Sequence, residues 1–307
     1  MKPALTYVAA IVALASVLSV APLWAHPASG IIVDAEGHVF IVYSLRGVAE
    51  VQSDGSLRYL SRSTDGHWLA LDPEGRLSKA QPRYFQRITA DGAKPTLIFA
   101  GGGSPITVGG DGGLYYATAP NSLEPGGLAL AREAPDGTIS AFSPQLRRLL
   151  AQIDDGVTGL ASGPDGSVYV ASWTGLFKVK TDGSATEVSH RVVVPDCDED
   201  RADHRPSSPL PLLRGLAVDG SGNIYVAATS CHRVLKVSAD GEIRSILNSE
   251  RPWAPTGIAL HDGDIYVLEY TNANGPKTEG WLPRVRKIAR DGRVSTIYSA
   301  PADDPPR

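Results

Sequence analysis

The stretch that decides the fold runs from 214 to 228 and reads RGLAVDGSGNIYVAA. Two apolar runs, GLAV and IYVAA, flank a turn rich in Asp and Gly, which is the pattern of a tight β-hairpin between buried strands. Two further runs follow, RVLKV at 233–237 and EIRSIL at 242–247, joined by the turn ADG at 239–241. Four short strands joined by turns make one propeller blade.

The same pattern recurs five more times along the chain. The copies of the inner strand read GIIVD at 30–34, WLALD at 68–72, PITV at 105–108, GLA at 159–161 and GIAL at 257–260. The glycines of the turns are Gly37, Gly75, Gly113, Gly166, Gly222 and Gly263, so the gaps between them are 38, 38, 53, 56 and 41 residues. Repeats near 40 residues are typical of propeller blades, and we interpret the two long gaps as insertions. The sequence therefore predicts an all-β, six-bladed propeller of four-stranded blades.

The composition is consistent with one extended β domain. The chain of 307 residues has 32 Gly and 23 Pro, both turn formers. Its formal net charge is -4, which predicts no surface for a polyanion and excludes nucleic acid as an expected partner. We expect residues 26–307 to form a single monomeric domain with an insertion at 192–213.

The first 25 residues resemble a secretory signal peptide. Lys2 precedes an apolar stretch that reaches Trp24, and Ala25 offers a small residue at a cleavage position. The alternative is an anchor helix that stays attached, since the apolar run is close to the length needed to span a bilayer. Either interpretation predicts a periplasmic or secreted protein, with no membrane span once the signal is cleaved.

The chain contains two cysteines, Cys197 and Cys231. In an oxidising compartment such a pair predicts a disulfide, and the alternative is two buried thiols. A disulfide would staple the insertion, which carries the acidic run PDCDED at 195–200. That run could hold a hard cation such as calcium, although it lacks the spacing of a known calcium loop and a solvated acidic loop is the alternative.

The repeats resemble NHL repeats and the related gluconolactonase- and regucalcin-like six-bladed propellers over residues 29–299. This resemblance implies the fold, but the families include lactonases, lyases, hydrolases and plain binding proteins. The calcium-dependent members place an acidic residue at the start of the first blade, where this chain has Ser29, and Arg214 holds a later axial position. The amidating lyases use several axial histidines on zinc, and His67 is the one that this chain offers.

Polar residues occur where a site is expected. In a propeller, the inner strands begin, and the second strands end, at the same mouth of the central channel, and loops there commonly carry binding groups. The positions before the inner strands are Ser29, His67, Ser104, Thr158, Arg214 and Thr256. The positions after the second strands provide the predicted ligand contacts, Trp173, His232, Tyr270 and Asn272.

Three ionisable residues, His67, Arg214 and Glu269, are the candidate catalytic groups. His67 could ligate a divalent metal or act as a general base, or it could bond to a loop carbonyl. Arg214 could clamp a carboxylate or phosphate, or it could pair with Glu269. Glu269 could be a general base or a metal ligand, because a carboxylate beside apolar strands is costly unless it is paired or ligating.

Two classes of function remain open. The first is an exported binding module that takes a small molecule or a protein at the mouth, and the second is a gluconolactonase-like or other hydrolase or lyase at the same mouth. The cofactor is left open, with a divalent metal as one possibility, and bound metal would favour the second class. If cleavage follows Ala25, an amino-terminal His26 could also contribute to copper binding. No nucleophile motif, Gly-rich phosphate loop or paired zinc cysteines are present, which disfavours kinases, nucleotide enzymes and zinc modules.

Overall fold

A computed structural model describes residues 27–62, 66–75, 77, 85–89, 96–101, 104–117, 130–152, 156–197, 211–271 and 281–302. Within these residues, 23 strands and one α-helix form six antiparallel blades in a ring. The predicted six-bladed propeller is therefore confirmed. The expected signal peptide at 1–25, His26 and Asn272 lie outside the described residues, as do most of the insertion and half of the acidic run.

The strands follow the chain blade by blade. Blade 1 contains β1 (Ile31–Val33), β2 (Val39–Tyr43), β3 (Gly47–Val51) and β4 (Leu57–Ser61), and blade 2 contains β5 (Gly66–Asp72), β6 (Phe85–Thr89) and β7 (Thr96–Gly101). Blade 3 contains β8 (Ile106–Val108), β9 (Leu114–Ala117), β10 (Leu130–Glu133) and β11 (Ile139–Ala141), followed by α1 (Pro144–Gln152). Blade 4 contains β12 (Val157–Ser162), β13 (Val168–Ser172), β14 (Leu176–Val179) and β15 (Ala185–Ser189). Blade 5 contains β16 (Leu213–Val218), β17 (Ile224–Ala228), β18 (Arg233–Val237) and β19 (Ile243–Asn248), and blade 6 contains β20 (Trp253–His261), β21 (Asp264–Thr271), β22 (Pro283–Ile288) and β23 (Val294–Ser299).

Blade 2 departs from the simple repeat. Its described strands are ordered β5-β7-β6, so the strand beside the inner strand is β7 rather than the next strand along the chain. The aligned repeat predicted a hairpin at Gly75 that leads directly into the neighbouring strand of the sheet. The structure shows that the neighbouring strand is β7, which comes later in the chain. Asp72 accepts a hydrogen bond from the amide of Leu77 at 2.9 Å, and Leu77 is fully buried. After this turn the chain rejoins the blade at β6 and then adds β7 beside the inner strand.

The six inner strands, β1, β5, β8, β12, β16 and β20, contact one another in turn around the ring. Glycines allow this approach. A Cβ atom at Gly257 would lie 2.2 Å from the carbonyl oxygen of Ser29, and one at Gly159 would lie 2.3 Å from that of Arg214. A Cβ at Gly215 would lie 2.6 Å from the Cα of Gly257. Glycine is needed where backbones come this close, which explains why the inner-strand copies in blades 4, 5 and 6 begin with it.

The ring closes without strand exchange among the described residues. Blade 6 is built from β20–β23 alone, and its inner strand packs against β1 of blade 1. This confirms that the C-terminal run VSTIY completes blade 6 as its own fourth strand. Closure therefore depends on contacts between blades 6 and 1 rather than on a shared sheet.

A tyrosine on the second strand and a cation on the third strand recur in four blades. In each blade the cation lies over the tyrosine ring, with its Cζ or Nζ atom 5.3–5.9 Å from the ring centroid. The pairs are Tyr115–Arg132, Tyr169–Lys178, Tyr225–Lys236 and Tyr266–Lys287. An aspartate in or beside the first hairpin turn bonds to the cation or the tyrosine in each case, through Asp111, Asp165, Asp219 or Asp264. These trios explain the repeated Asp and Tyr of the sequence as blade-stabilising groups.

The apolar core lies between neighbouring blades. On β21, Val267 packs with residues of blade 5, whereas Leu268 and Tyr270 pack with residues of blade 1. Successive residues of a strand face opposite sides of its sheet, so the parity of a position decides which blade it meets.

Helix α1 is capped by the hydroxyl of Ser143, which accepts a hydrogen bond from the amide of Leu146 at 3.1 Å. In the part of the chain described, no helix is long and apolar enough to cross a membrane.

We predict that Gly257→Ala destabilises the ring, because the added methyl would overlap the carbonyl of Ser29 and force two inner strands apart. The expected loss is about 1–3 kcal/mol of unfolding free energy, measured by denaturant titration. Gly110→Ala is the matched control, since no atom lies within 4 Å of the new methyl there. Equal stability for the two variants would contradict this role of Gly257.

Candidate functional site

The predicted mouth is the end of the channel where the inner strands begin and the second strands end. The pairing confirms that these ends coincide, because Leu213 pairs with Ala228, Val157 with Ser172 and Trp253 with Thr271. The structure thus places the two sets of polar positions at one mouth, as far as they are described. Their accessibility differs sharply around the ring.

The segment Pro27–Gly30, which we call the strap, lies at this mouth and directly precedes β1. Thr256 Oγ1 donates to the carbonyl of Ala28 at 2.8 Å, and the amide of Ala28 donates to Ser44 Oγ at 2.7 Å. Arg214 Nη2 donates to the carbonyl of Pro27 at 2.6 Å. The amides of Ser29 and Gly30 both donate to the carbonyl of His67, at 2.9 and 2.8 Å. Groups from blades 1, 2, 5 and 6 therefore hold one short segment.

The described polar positions of the predicted mouth fall into two halves that differ in exposure. In the buried half, the side chains belong to blades 1, 5 and 6 and are at most 8% exposed: Ser44, Arg214, Thr229, Ser230, His232, Thr256, Glu269 and Tyr270. In the accessible half, His67, Ser104 and Thr158 of blades 2, 3 and 4 are partly exposed, and Trp173 is 42% exposed. A ligand approaching this mouth meets the accessible half first.

Arg214 is a buried cation beneath the strap. Burial lowers its pKa to about 9, so the guanidinium remains protonated at neutral pH. Its hydrogen bond to the Pro27 carbonyl ties blade 5 to the start of the described chain. Arg214 therefore contributes to holding the strap, and its side chain is buried from solvent.

Glu269 faces the interface between blades 5 and 6. Its carboxylate accepts a hydrogen bond from Arg284 Nε at 2.6 Å and another from the hydroxyl of Ser249. The guanidinium of Arg284 also pairs with Glu250 and stacks over the ring of Trp253 at 4.3 Å. The partner of Glu269 is therefore Arg284, across one pair of the β21–β22 ladder, rather than Arg214 as one alternative predicted. A fully buried carboxylate held in this way is not available to a ligand.

Two of the predicted ligand contacts are also engaged in the buried half. The hydroxyl of Tyr270 donates to the carbonyl of Val42 and accepts from the amide of Ser44 at 3.1 Å, which links blade 6 to blade 1. Burial raises the pKa of Tyr270 to about 12. His232 lies at 2.6 Å, through Nδ1, from the carbonyl of Trp253. Of the predicted ligand contacts within the described residues, only Trp173 is substantially exposed.

The predicted disulfide is confirmed. Cys197 and Cys231 are bonded, with their Cα atoms 5.0 Å apart, and they join the first part of the insertion to blade 5. The side chain of Arg233 donates to the carbonyl of Pro195 next to this bond. The described ends of the insertion therefore lie at the predicted mouth, beside Trp173.

One group of possible metal ligands among the described residues lies at the opposite mouth. Donor atoms of Asp34, Glu36 and His38 come within 4.8 Å of one another in the turn between β1 and β2. Asp34 accepts hydrogen bonds from the amide and the ring of His38 at 2.8 and 2.9 Å. In blade 5, Asp219 makes the same two contacts with Asn223, at 2.9 and 2.7 Å. Because blade 5 has the same hydrogen bonds, the contacts of Asp34 and His38 belong to the repeated structure of this turn.

The fold is similar to that of several solved propellers. The chain matches a PQQ-bound aldose sugar dehydrogenase from Streptomyces coelicolor with a TM-score of 0.53 and 13% identity, over 86% of this chain and 94% of that one. It matches a gluconolactonase from Xanthomonas campestris with a TM-score of 0.51 and 16% identity, over 79% and 83% of the two chains. A catalytically inactive virginiamycin B lyase from Staphylococcus aureus matches with a TM-score of 0.50 and 13% identity, over 92% and 86%.

No protein-family model matches the sequence, and no curated protein matches it. At 13–16% identity the structural matches show a shared propeller fold and nothing finer. The resemblance to gluconolactonase-like propellers is thus confirmed at the level of fold, and the NHL-repeat assignment remains a prediction.

We predict that Glu269→Ala costs about 3 kcal/mol of unfolding free energy, because it leaves Arg284 buried without its inner partner. Denaturant titration measures the loss. Glu242→Ala, which removes an exposed carboxylate of blade 5, is the control and should change stability little. If Glu269→Ala is as stable as the control but loses a measured activity, Glu269 is functional rather than structural.

We predict that His38 titrates above its ordinary pKa, because its ring bonds to the carboxylate of Asp34. A raised folded pKa stabilises the protein fully at pH below the unfolded value of about 6.5, and this contribution is lost as the pH rises through the folded pKa. NMR titration of the ring protons measures the shift. His38→Asn, which copies blade 5, should keep the turn and abolish this part of the pH dependence; an unshifted His38 would contradict the prediction.

Proposed function

We propose that this protein is an exported binding propeller whose ligand contacts the accessible half of the predicted mouth, around Trp173. The observation that carries the proposal is the difference in exposure between the two halves of that mouth. Arg214 and Glu269, the charged groups that catalysis would need, are engaged in holding the ring, whereas Trp173 is exposed. Exposed aromatic side chains at a mouth supply a large contact area at low entropic cost.

Trp173 is presented on an ordered turn, which supports a binding role. The amide of Ser172 donates to the carbonyl of Gly175, and the amide of Gly175 donates to the hydroxyl of Ser172, both at 2.9 Å. The carbonyl of Trp173 accepts from the amide of Leu213 at 2.9 Å. Because the turn is fixed before a ligand arrives, little conformational entropy is lost when the indole is covered.

Polar groups of the accessible half give it a second kind of contact. His67 and Thr158 begin the inner strands of blades 2 and 4 and are partly exposed, although Thr158 Oγ1 donates to the carbonyl of Ala171 at 3.2 Å. The imidazole of His67 offers both a donor and an acceptor when neutral. A small molecule with one apolar face and a few polar groups fits this combination of side chains.

Export is part of the proposal and is supported by the chemistry of the cysteines. Stable disulfides are favoured in oxidising compartments such as the periplasm, and the two cysteines of the chain are joined. The signal-like segment at 1–25 agrees with this location.

The second candidate is a hydrolase or lactonase that uses His67 at the same mouth. Its support is the shared fold with a gluconolactonase and a lyase, which is an analogy of scaffold rather than of site. Metal analysis of the purified protein separates the two candidates. Bound stoichiometric metal together with lactone hydrolysis that depends on His67 would favour the enzyme.

We predict that Trp173→Ala weakens ligand binding about tenfold or more, a loss of about 1.4 kcal/mol or more, while thermal stability is nearly unchanged. Calorimetry against a panel of lactones, organic acids and short peptides identifies and measures the ligand. Ile139→Ala is the matched control, since Ile139 is an exposed apolar residue of blade 3 on the outer strand β11. If a panel ligand binds equally to both variants, the proposed face is wrong.

A further inference from the structure

The turn that carries Trp173 is held from both sides by the insertion at 192–213. The amide of Val192, at the start of the insertion, donates to the carbonyl of Thr174 at 2.8 Å. The amide of Leu213, at its end, donates to the carbonyl of Trp173 at 2.9 Å. Two consecutive backbone carbonyls of the exposed turn thus depend on the two described arms of the insertion, 192–197 and 211–213.

Both arms are fixed in turn to one short 3-10 segment of blade 5, Thr229–Cys231. The amides of Thr229 and Ser230 donate to the carbonyls of Leu212 and Pro211, at 3.1 and 3.2 Å. Cys231 forms the disulfide to Cys197 at the end of the first arm. Each arm therefore contacts the Trp173 turn at one end and the segment Thr229–Cys231 at the other.

The two arms are held by different means. The second arm continues directly into β16, so the blade itself positions it. The first arm has no described strand beyond Ser189, and its anchors are the Val192 hydrogen bond, the disulfide, the Arg233 contact and the burial of Val192 and Val194. Between these two valines, Val193 is 70% exposed and lies one residue from the bond to the Trp173 turn.

We propose that the Cys197–Cys231 disulfide is a positioning element for Trp173, so that breaking it loosens the exposed aromatic turn and weakens binding there. The bond closes a loop of 34 residues and fixes the end of the first arm, whose other anchors are one backbone hydrogen bond, the Arg233 contact and two buried valines. A contact residue that must be ordered on binding costs affinity. The effect on affinity rests on the proposed function, whereas the effect on the mobility of Trp173 does not.

The test compares the oxidised full-length protein with Cys197→Ala/Cys231→Ala. Acrylamide quenching of tryptophan fluorescence is measured with and without Trp173→Phe in each background, and the difference isolates Trp173 from the other indoles. We expect the quenching of Trp173 to rise in the cysteine variant. We also expect about tenfold weaker binding of the panel ligand that depends on Trp173, which corresponds to about 1.4 kcal/mol.

Thr256→Val is the matched control for general destabilisation. It removes the hydrogen bond from Thr256 to the strap, in a different part of the ring, and keeps the disulfide. We expect it to lower the thermal midpoint without changing the quenching of Trp173. A rise in quenching of equal size in both variants would overturn the proposal, because the disulfide would then act only through global stability.

Three further outcomes are decisive. Unchanged Trp173 quenching in the cysteine variant overturns the positioning role. A rise in quenching with unchanged affinity of a ligand that depends on Trp173 supports the effect on mobility and overturns the effect on binding. A panel in which no ligand depends on Trp173 contradicts the proposed function and leaves the quenching test standing, so the two proposals fail separately. Should the cysteine variant not fold, Arg233→Ala loosens the same arm with the disulfide intact and is expected to raise the quenching by a smaller amount.

Discussion

The structure depends on the close approach of six inner strands around one channel. At Gly257, the backbone of blade 6 lies so near the carbonyl of Ser29 that no side chain could be accommodated. This contact closes the ring, since no described strand of blade 6 comes from the other end of the chain. When the first and last blades of a propeller share no strand, the interface between them has to be stabilised by hydrogen bonds and apolar packing. The strap and the Tyr270 hydroxyl provide them between blades 6 and 1.

Ring closure explains why the buried half of the predicted mouth is polar. Backbone groups of the strap would be costly to bury without partners, and Thr256, Ser44, Arg214 and the carbonyl of His67 satisfy them. The same reasoning applies to Glu269, whose buried carboxylate is stabilised by Arg284 and Ser249. Polar residues at this mouth therefore have two distinct physical uses, and exposure separates those that hold the ring from those that can meet a ligand.

The sequence predicts the strands well because their signals are local. Glycine before an apolar run and an Asp-containing turn after it mark most inner strands, and each reflects a contact that the structure shows. The order of blade 2 is not predictable in this way, since the repeat is interrupted after Asp72 and β7 reaches the inner strand from later in the chain. The orientation of Glu269 could have been found, because it shares its parity with Val267, which packs toward blade 5. Its pairing with Arg284 could not, because residues 272–282 separate β21 from β22 and leave the register of the two strands open, and nothing in residues 27–30 marks them as a strap.

The disulfide connects the buried half of the mouth to the arm that borders Trp173. Cys231 belongs to a segment that also carries Thr229, whose hydroxyl donates to the carbonyl of Pro255 in blade 6 at 2.8 Å. The segment therefore joins the buried half of the mouth, which closes the ring, to the arm that borders Trp173 in the accessible half. The Trp173 turn is joined to blade 5 in two ways, because the first arm ends on this segment through the disulfide and the second arm bonds to the segment and then enters the inner strand β16. The hydrogen bonds between blades 6 and 1 come from Thr256 and Tyr270, whereas those to the Trp173 turn come from Val192 and Leu213, so the closure of the ring and the presentation of Trp173 rest on different hydrogen bonds.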